Sequence, residues 1–396
     1  MDLIAASHTA TLEQLPAMIA EHADRLGARN LALYAVDIQE TVLRQITGQG
    51  PDAGDGGEQL SIEGTLPGRA YQKVDLLPEP AEQREPQRRR WWAPVTDGVE
   101  RLGVLRADVE AQDEESARRL LRDVSSVTAL MLLSKRSFSD SFARLVRTRN
   151  MNVAAEMQWN LMPPPAFAGH DVTIGGLVEP AYEVGGDAFD YAIAGQTAHL
   201  AVFDAMGHDT RAGITANLAV ATCRNARRQG ASLADTTRAV EDVLTSHFGV
   251  SRYVTGILAT LDLDSGALRW VNRGHHLPVL IRDQRRAIEL QCPPAGPMGI
   301  SLGLPLRQCH YQLQPGDRLL LYTDGIVETR DKHGRPFGLD RFTDYIVRYH
   351  SDRQTLHETL RRLMRAVIDY HAGRLDDDAT VLLTEWRASH QHKLTP

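Results

Sequence analysis

Several aspartates in this chain stand at the ends of strand-like runs. His199-Leu-Ala-Val-Phe203 delivers Asp204 ahead of Ala205-Met-Gly-His-Asp209, and Arg318-Leu-Leu-Leu-Tyr-Thr323 delivers Asp324-Gly325. Asp376-Asp377-Asp378 stands immediately before the apolar run Ala379-Thr-Val-Leu-Leu383. A further stretch, Glu183-Val-Gly-Gly-Asp-Ala-Phe-Asp190, sets Asp187 and Asp190 after a glycine pair, where the backbone lets a ligand or ion approach closely. Taken singly, each fits a turn: Asp-Gly after a strand is a common hairpin signal, and an acidic triplet is an ordinary solvated turn. Taken together they carry chemistry, because carboxylates crowded into one domain repel one another unless divalent cations neutralise them. Oxygen donors without cysteine point to magnesium or manganese rather than zinc.

These aspartates lie in the second half of the chain. Past Pro163-Pro164-Pro165 the pattern is short β-type runs with two helices between them, one starting near Thr210 and reaching about Gln229. Before the prolines, Val104 to Met162 contains no glycine or proline, and apolar residues from Leu120 to Leu161 recur every three or four positions. This predicts one long helix from about Asp113, spanning about 75 Å, paired with a second copy in a dimer. The first part reads as a helix over Leu12–Leu26, a strand over Leu31–Val36, glycine-rich and proline-rich loops at 48–57 and 78–90, and a hairpin about Thr96-Asp97-Gly98. The resulting boundaries are 1–135, 136–164, 165–388 and a tail at 389–396.

The chain has 396 residues, 42% hydrophobic and 24% charged, enough for a core and more than one domain. A net charge of -7 argues against general binding to nucleic acid or anionic membrane. Arg88-Arg89-Arg90 before Trp91-Trp92 is accordingly read as a solvated charge run. Cys223, Cys292 and Cys309 are too few and scattered for a disulfide framework or a zinc site, which suits a reducing cytosol. No apolar run is long enough for a membrane span. The expectation is a soluble, cytoplasmic protein. His275-His276 is read as a loop near the site mouth that binds no metal, and Cys223 as core-facing.

Four motifs together resemble the SpoIIE/RsbU-like branch of the metal-dependent type 2C protein phosphatases. They are Glu183-Val-Gly-Gly-Asp187 with Phe189-Asp190, Asp204-Ala-Met-Gly-His208, Tyr322-Thr-Asp-Gly325 with Glu328, and Asp377-Asp-Ala-Thr380, over residues 165–386. Ala154-Ala-Glu-Met-Gln-Trp-Asn-Leu-Met-Pro163 is similar to the segment that couples such a domain to an upstream sensor, and residues 1–135 resemble a GAF-type sensory domain. The resemblance implies an α+β chain: a GAF-like sensor, a connector helix, then a phosphatase β-sandwich flanked by helices with two Mn2+ or Mg2+ ions at one end. By position, Asp204 would bridge both ions, the Ala205 carbonyl would bind one, and Asp187, Asp324 and Asp377 would complete the protein ligands. Asp190, Asp378, Gly207 and His208 would orient them. Many relatives place histidine where this chain has Met206, with His208 standing two residues further on, and Ala188 is found where a bulkier aromatic is common.

The implied activity is hydrolysis of phosphoserine or phosphothreonine on a protein, by resemblance a phosphorylated anti-sigma factor antagonist in a partner-switching pathway. A phosphatase fold that binds without hydrolysing is the alternative from another class, opposed by retention of all four aspartate positions. A nucleotide phosphodiesterase is a third, opposed by the lack of a glycine-rich phosphate loop.

Overall fold

The computed structural model describes residues 3–80, 88–110, 113–183, 185–207, 209–282, 286–350, 355–371, 375 and 377–388. His208 and Asp376, both singled out above, and the tail 389–396 lie outside them. The chain divides into two compact units between Asn150 and Met151, inside the span read as connector.

The first unit runs α1 (Leu3–Ser7), a 3-10 turn, α2 (Leu15–Arg25), β1 (Ala28–Val36), β2 (Val42–Ile46), β3 (Gln59–Ser61), α3 (Leu66–Lys73), β4 (Leu77–Pro78), β5 (Arg88–Asp97), β6 (Glu100–Glu110), α4 (Glu114–Arg136) and α5 (Asp140–Leu145). Its six strands form one antiparallel sheet in the order β3-β2-β1-β6-β5-β4. Alternation along β1 separates two cores. Leu33 and Ala35 join Leu15, Ile19, Leu121 and Leu132 on one face, whereas Ala32 and Tyr34 meet Tyr71 and Trp92 under α3 on the other. The expected hairpin is β5–β6, and the three arginines lie within β5 rather than in a loop.

The run without glycine or proline is not one helix. It makes α4, α5 and α6 (Val153–Leu161), of 23, 6 and 9 residues. Polar side chains restart it: Ser139 Oγ accepts from the Phe142 N–H at 3.1 Å, and Asn152 Oδ1 from the Ala155 N–H at 2.7 Å. Such caps favour helix starts over helix interiors, and apolar periodicity does not register them.

The second unit continues from α6 through β7 (Ala166–Ala168), β8 (Val172–Glu179), β9 (Asp187–Ala194), β10 (Thr197–Ala205), α7 (Thr210–Arg228), α8 (Leu233–Phe248), β11 (Val254–Asp262), β12 (Ala267–Arg273), β13 (Val279–Arg282), β14 (Arg286–Glu289), β15 (Gln308–Gln312), β16 (Arg318–Tyr322), α9 (Asp324–Val327), α10 (Leu339–His350), α11 (Leu356–Tyr370) and β17 (Ala379–Trp386). Two antiparallel sheets, β15-β12-β11-β10-β9 and β14-β13-β16-β17-β8-β7, pack face to face. Phe189, Val202, Ile257 and Trp270 from one meet Ile174, Leu280, Leu321 and Leu382 from the other. Helices α7 and α8 cover the outer face of the first sheet, and α10 and α11 that of the second. The result is a helix-flanked β-sandwich in a mixed α+β chain.

Cys292 and Cys309 form a disulfide, contrary to the reading of scattered, unpaired cysteines. Their 17-residue separation says nothing of proximity; the fold brings the segment after β14 beside β15. The compartment argument from reduced cysteines falls with it. No described helix is long and apolar enough to cross a membrane.

Candidate metal centre

Strand register assembles the first part of the site. β9 and β10 pair so that Asp187 stands opposite Asp204, and β10 and β11 pair so that Asp204 stands opposite Thr255. Two carboxylates directly across a ladder destabilise a sheet unless something positive lies between them. The other sheet supplies the rest: β16 ends one residue before Thr323-Asp324, and β17 begins just after Asp377-Asp378.

Hydrogen bonds lock the two sheets together here. Thr323 Oγ1 donates to Asp187 Oδ2 at 2.6 Å and accepts from the Thr380 N–H at 2.8 Å. Asp378 Oδ2 accepts from the backbone N–H groups of Gly185, Gly186 and Asp187 at 2.8, 2.6 and 3.3 Å. From α6, Gln158 Nε2 donates to the carbonyls of Gly185 and Asp187 at 3.2 and 2.8 Å. Gly186 is required by crowding: a Cβ there would lie 2.4 Å from the Ala205 carbonyl oxygen and 2.6 Å from that of Gly207. Gly207 has φ +90°, a conformation that disfavours any side chain. Ala188, where a larger residue was expected, is buried beneath α7.

The electrostatics are those of a site built for cations. Asp187 is buried, and burial followed by Asp378 and Asp204 holds its carboxyl well above the usual range. Burial, then Asp324 and Asp377, pushes Asp204 up to about 7. Asp378 is also raised, mainly by burial, against the three amides that favour its charge. Carboxylates that shift one another upward are close in space and lack a neutralising charge. The donors fit a divalent hard cation: carboxylates plus the main-chain carbonyl of Ala205, with no thiolate.

The structure therefore brings together Asp187, Asp204, Asp324, Asp377 and Asp378, with Ala205 and Gly207 alongside. It separates Asp190 from them. Asp187 and Asp190 are three apart in a strand, so their side chains leave opposite faces. Asp190 is fully buried under α7, bonded by Arg224 at 2.7 and 2.9 Å and by Arg227 at 2.8 Å. It anchors the helix and does not orient the metal ligands. His276 is stacked on Tyr322, and one of its ring nitrogens lies, with one carboxylate oxygen each from Asp324 and Glu328, in a group all within 4.8 Å of one another. Cys223 faces the core, as expected, and burial pushes its thiol up to about 12.

Residues whose part motif reading passed over are Thr323, Gln158 and Thr255, and His275, read only as part of a loop at the site mouth, is more than that. Thr323 sits inside a quoted motif, and its neighbour Asp324 drew the attention. The others act through register and packing that no local spacing encodes. His275 is buried, with Nδ1 2.8 Å from Thr255 Oγ1 and Nε2 3.0 Å from the Tyr322 carbonyl oxygen. Burial, then His276, lowers its pKa to about 4.

Residues 194–387 match the family model described as Stage II sporulation protein E (SpoIIE). Asp204, Asp324, Asp377 and Asp378 lie within the match, and Asp187 precedes it. Among curated proteins, the chain is 20% identical over 185 residues to phosphoserine phosphatase RsbU of Bacillus subtilis, covering 46% of this chain and 55% of that protein. It is 24% identical over 190 residues to phosphoserine phosphatase RsbP of the same organism, covering 47% of each. The chain thus spans about half the length of these relatives. A solved structure of the RsbU and RsbW domains of Rv1364c from Mycobacterium tuberculosis is 25% identical with a TM-score of 0.49, covering 55% of this chain and 62% of that one. The family match falls within the second unit.

Proposed function

We propose that the second unit is a metal-dependent phosphoserine/phosphothreonine protein phosphatase whose two-cation centre is held by Asp187, Asp204, Asp324, Asp377 and the carbonyl of Ala205. The observation that carries this is the facing pair Asp187 and Asp204 at a sandwich end where Asp324 and Asp377 also converge. Two divalent cations bound there would supply Lewis acidity, acidifying a water and neutralising charge on the phosphoryl oxygens. The chain's own part is positional. Thr323 fixes the Asp187 carboxylate, Asp378 fixes the backbone on which Asp187 is carried, and Gly186 gives the Ala205 carbonyl room. Strand pairing prevents Asp204 and Asp187 from moving apart, so both carboxyls are held at one place for cations to ionise and neutralise.

The substrate, in this reading, is a phosphorylated anti-sigma factor antagonist, so that the enzyme works in the cytoplasm on a partner-switching regulator. Similarity to the phosphoserine phosphatases RsbU and RsbP supports the phosphoserine part of that choice. The first unit is a GAF-like sensor, a reading supported by its six-stranded sheet with helices on both faces. Its signal would reach the centre through α6, where Gln158 bonds the Asp187 carbonyl.

The test is hydrolysis of a phosphoserine peptide by the full chain with and without Mn2+, for wild type and Asp204→Asn. Manganese-dependent turnover lost in the variant supports the proposal. A wild type that binds Mn2+ yet releases no phosphate from any phosphoprotein or phosphopeptide overturns it in favour of a binding module.

A further inference from the structure

Thr255 has one hydroxyl hydrogen and two acceptors in reach. His275 Nδ1 is 2.8 Å from its oxygen, and Asp204 Oδ2 is 3.4 Å away. Which acceptor takes the hydrogen depends on the tautomer of His275, and the other end of the ring decides that. Nε2 lies 3.0 Å from the Tyr322 carbonyl oxygen, which can only accept, so Nε2 carries hydrogen. With the ring neutral, Nδ1 is then a bare acceptor facing Thr255. The His275 backbone is clamped on both sides by the buried amide of Asn272, whose Oδ1 accepts from the His275 N–H at 2.8 Å and whose Nδ2 donates to the His275 carbonyl at 2.9 Å.

We propose that His275 is a positioning residue for the metal centre: it draws the Thr255 hydroxyl hydrogen to Nδ1 at 2.8 Å and so leaves only a long, weak 3.4 Å contact between that hydroxyl and Oδ2 of Asp204. This rests on the phosphatase reading in one respect, that Asp204 is the shared ligand of the cations. Thr255 occupies the place directly across the strand from Asp204, where a hydroxyl donor would naturally bond the carboxylate and compete with a cation for the same lone pairs. The relay from the Tyr322 carbonyl through His275 to Thr255 turns that hydroxyl the other way. It also connects Asp204 on one sheet to the chain entering Asp324 on the other.

The experiment uses the full chain and reads Mn2+ binding by electron paramagnetic resonance, together with 15N NMR of the imidazoles. In wild type the His275 ring shows hydrogen on Nε2 and none on Nδ1. His275→Phe releases the Thr255 hydrogen onto Asp204, and Mn2+ affinity falls at least about 10-fold. Thr255→Val has no hydrogen to release and loses less. Adding Thr255→Val to His275→Phe brings affinity back up to that of Thr255→Val alone. A ring found with hydrogen on Nδ1 overturns the proposal, as does a double variant no tighter than His275→Phe, the outcome of a merely structural role. The NMR result needs no substitution and stands even where His275→Phe fails to fold. Phosphopeptide turnover by wild type, measured separately, tells failure of the phosphatase reading from failure of this one.

Discussion

Thr323, just past β16 of one sheet, and Asp187, at the start of β9 in the other, are joined by a single 2.6 Å hydrogen bond at the point where the carboxylates converge. Thr323→Val removes both that bond and the acceptor for the Thr380 N–H, and Mn2+ affinity should drop about 10- to 100-fold. Thr323→Ser keeps the hydroxyl and most of the affinity. Calorimetric titration of the two variants with Mn2+ checks this, and equal binding by both would remove Thr323 from the account.

Asp204→Asn should cost several kcal/mol of transition-state stabilisation, a fall of about 10³-fold in manganese-dependent turnover. Asp187→Asn should do the same. Phosphate release under saturating Mn2+ is the measurement, with circular dichroism to verify that each variant is folded.

Asp190→Asn tests the separation of the two aspartates on β9. Removing the charge leaves Arg224 and Arg227 facing each other without their buried partner, and stability should fall by about 3 to 5 kcal/mol. Urea denaturation reads the loss. Mn2+ affinity of the folded variant stays near that of wild type; a collapse of metal binding with stability intact would return Asp190 to the site.

The raised carboxyls fix the sign of a pH dependence. Asp204 is held up to about 7 against an ordinary value of 3.8, so between those values the metal-free native state binds more protons than the unfolded chain. Its contribution to stability is then present at low pH and lost as pH rises toward 7, and Asp187 acts in the same direction. In EDTA, the stability of wild type relative to Asp204→Asn should decline from pH 5 to pH 8. Saturating Mn2+ should reverse the slope, because cations favour the ionised carboxylates. Urea midpoints across that range decide it.

Much of the centre was legible because its ligands sit at strand ends, where an apolar run stops and an aspartate follows. Asp204 and Asp324 announce themselves in this way, the pair Asp377-Asp378 stands just before the next apolar run, and Asp187 follows a glycine pair. What misled was parity and capping. Asp190 lies near Asp187 along the chain and opposite to it in space. Ser139 and Asn152 break a periodicity that apolar positions alone would continue. The disulfide partners, His276 beside Glu328, and the pairing of Asp204 with Thr255 follow from which strands become neighbours, a property of the whole sandwich rather than of any short stretch.

Asp187 and Asp204 come from one sheet, Asp324 and Asp377 from the chain that adjoins strands β16 and β17 of the other. Cations bound among them would act as a reversible rivet between the halves of the sandwich, closing a loop of nearly the whole second unit in the way a covalent crosslink would. Metal supply then sets mechanical cohesion as well as chemistry. Chelation should open that end first, exposing the amides of Gly185 and Gly186 to hydrogen exchange while the far end, sealed by Trp386 and Leu263, remains closed.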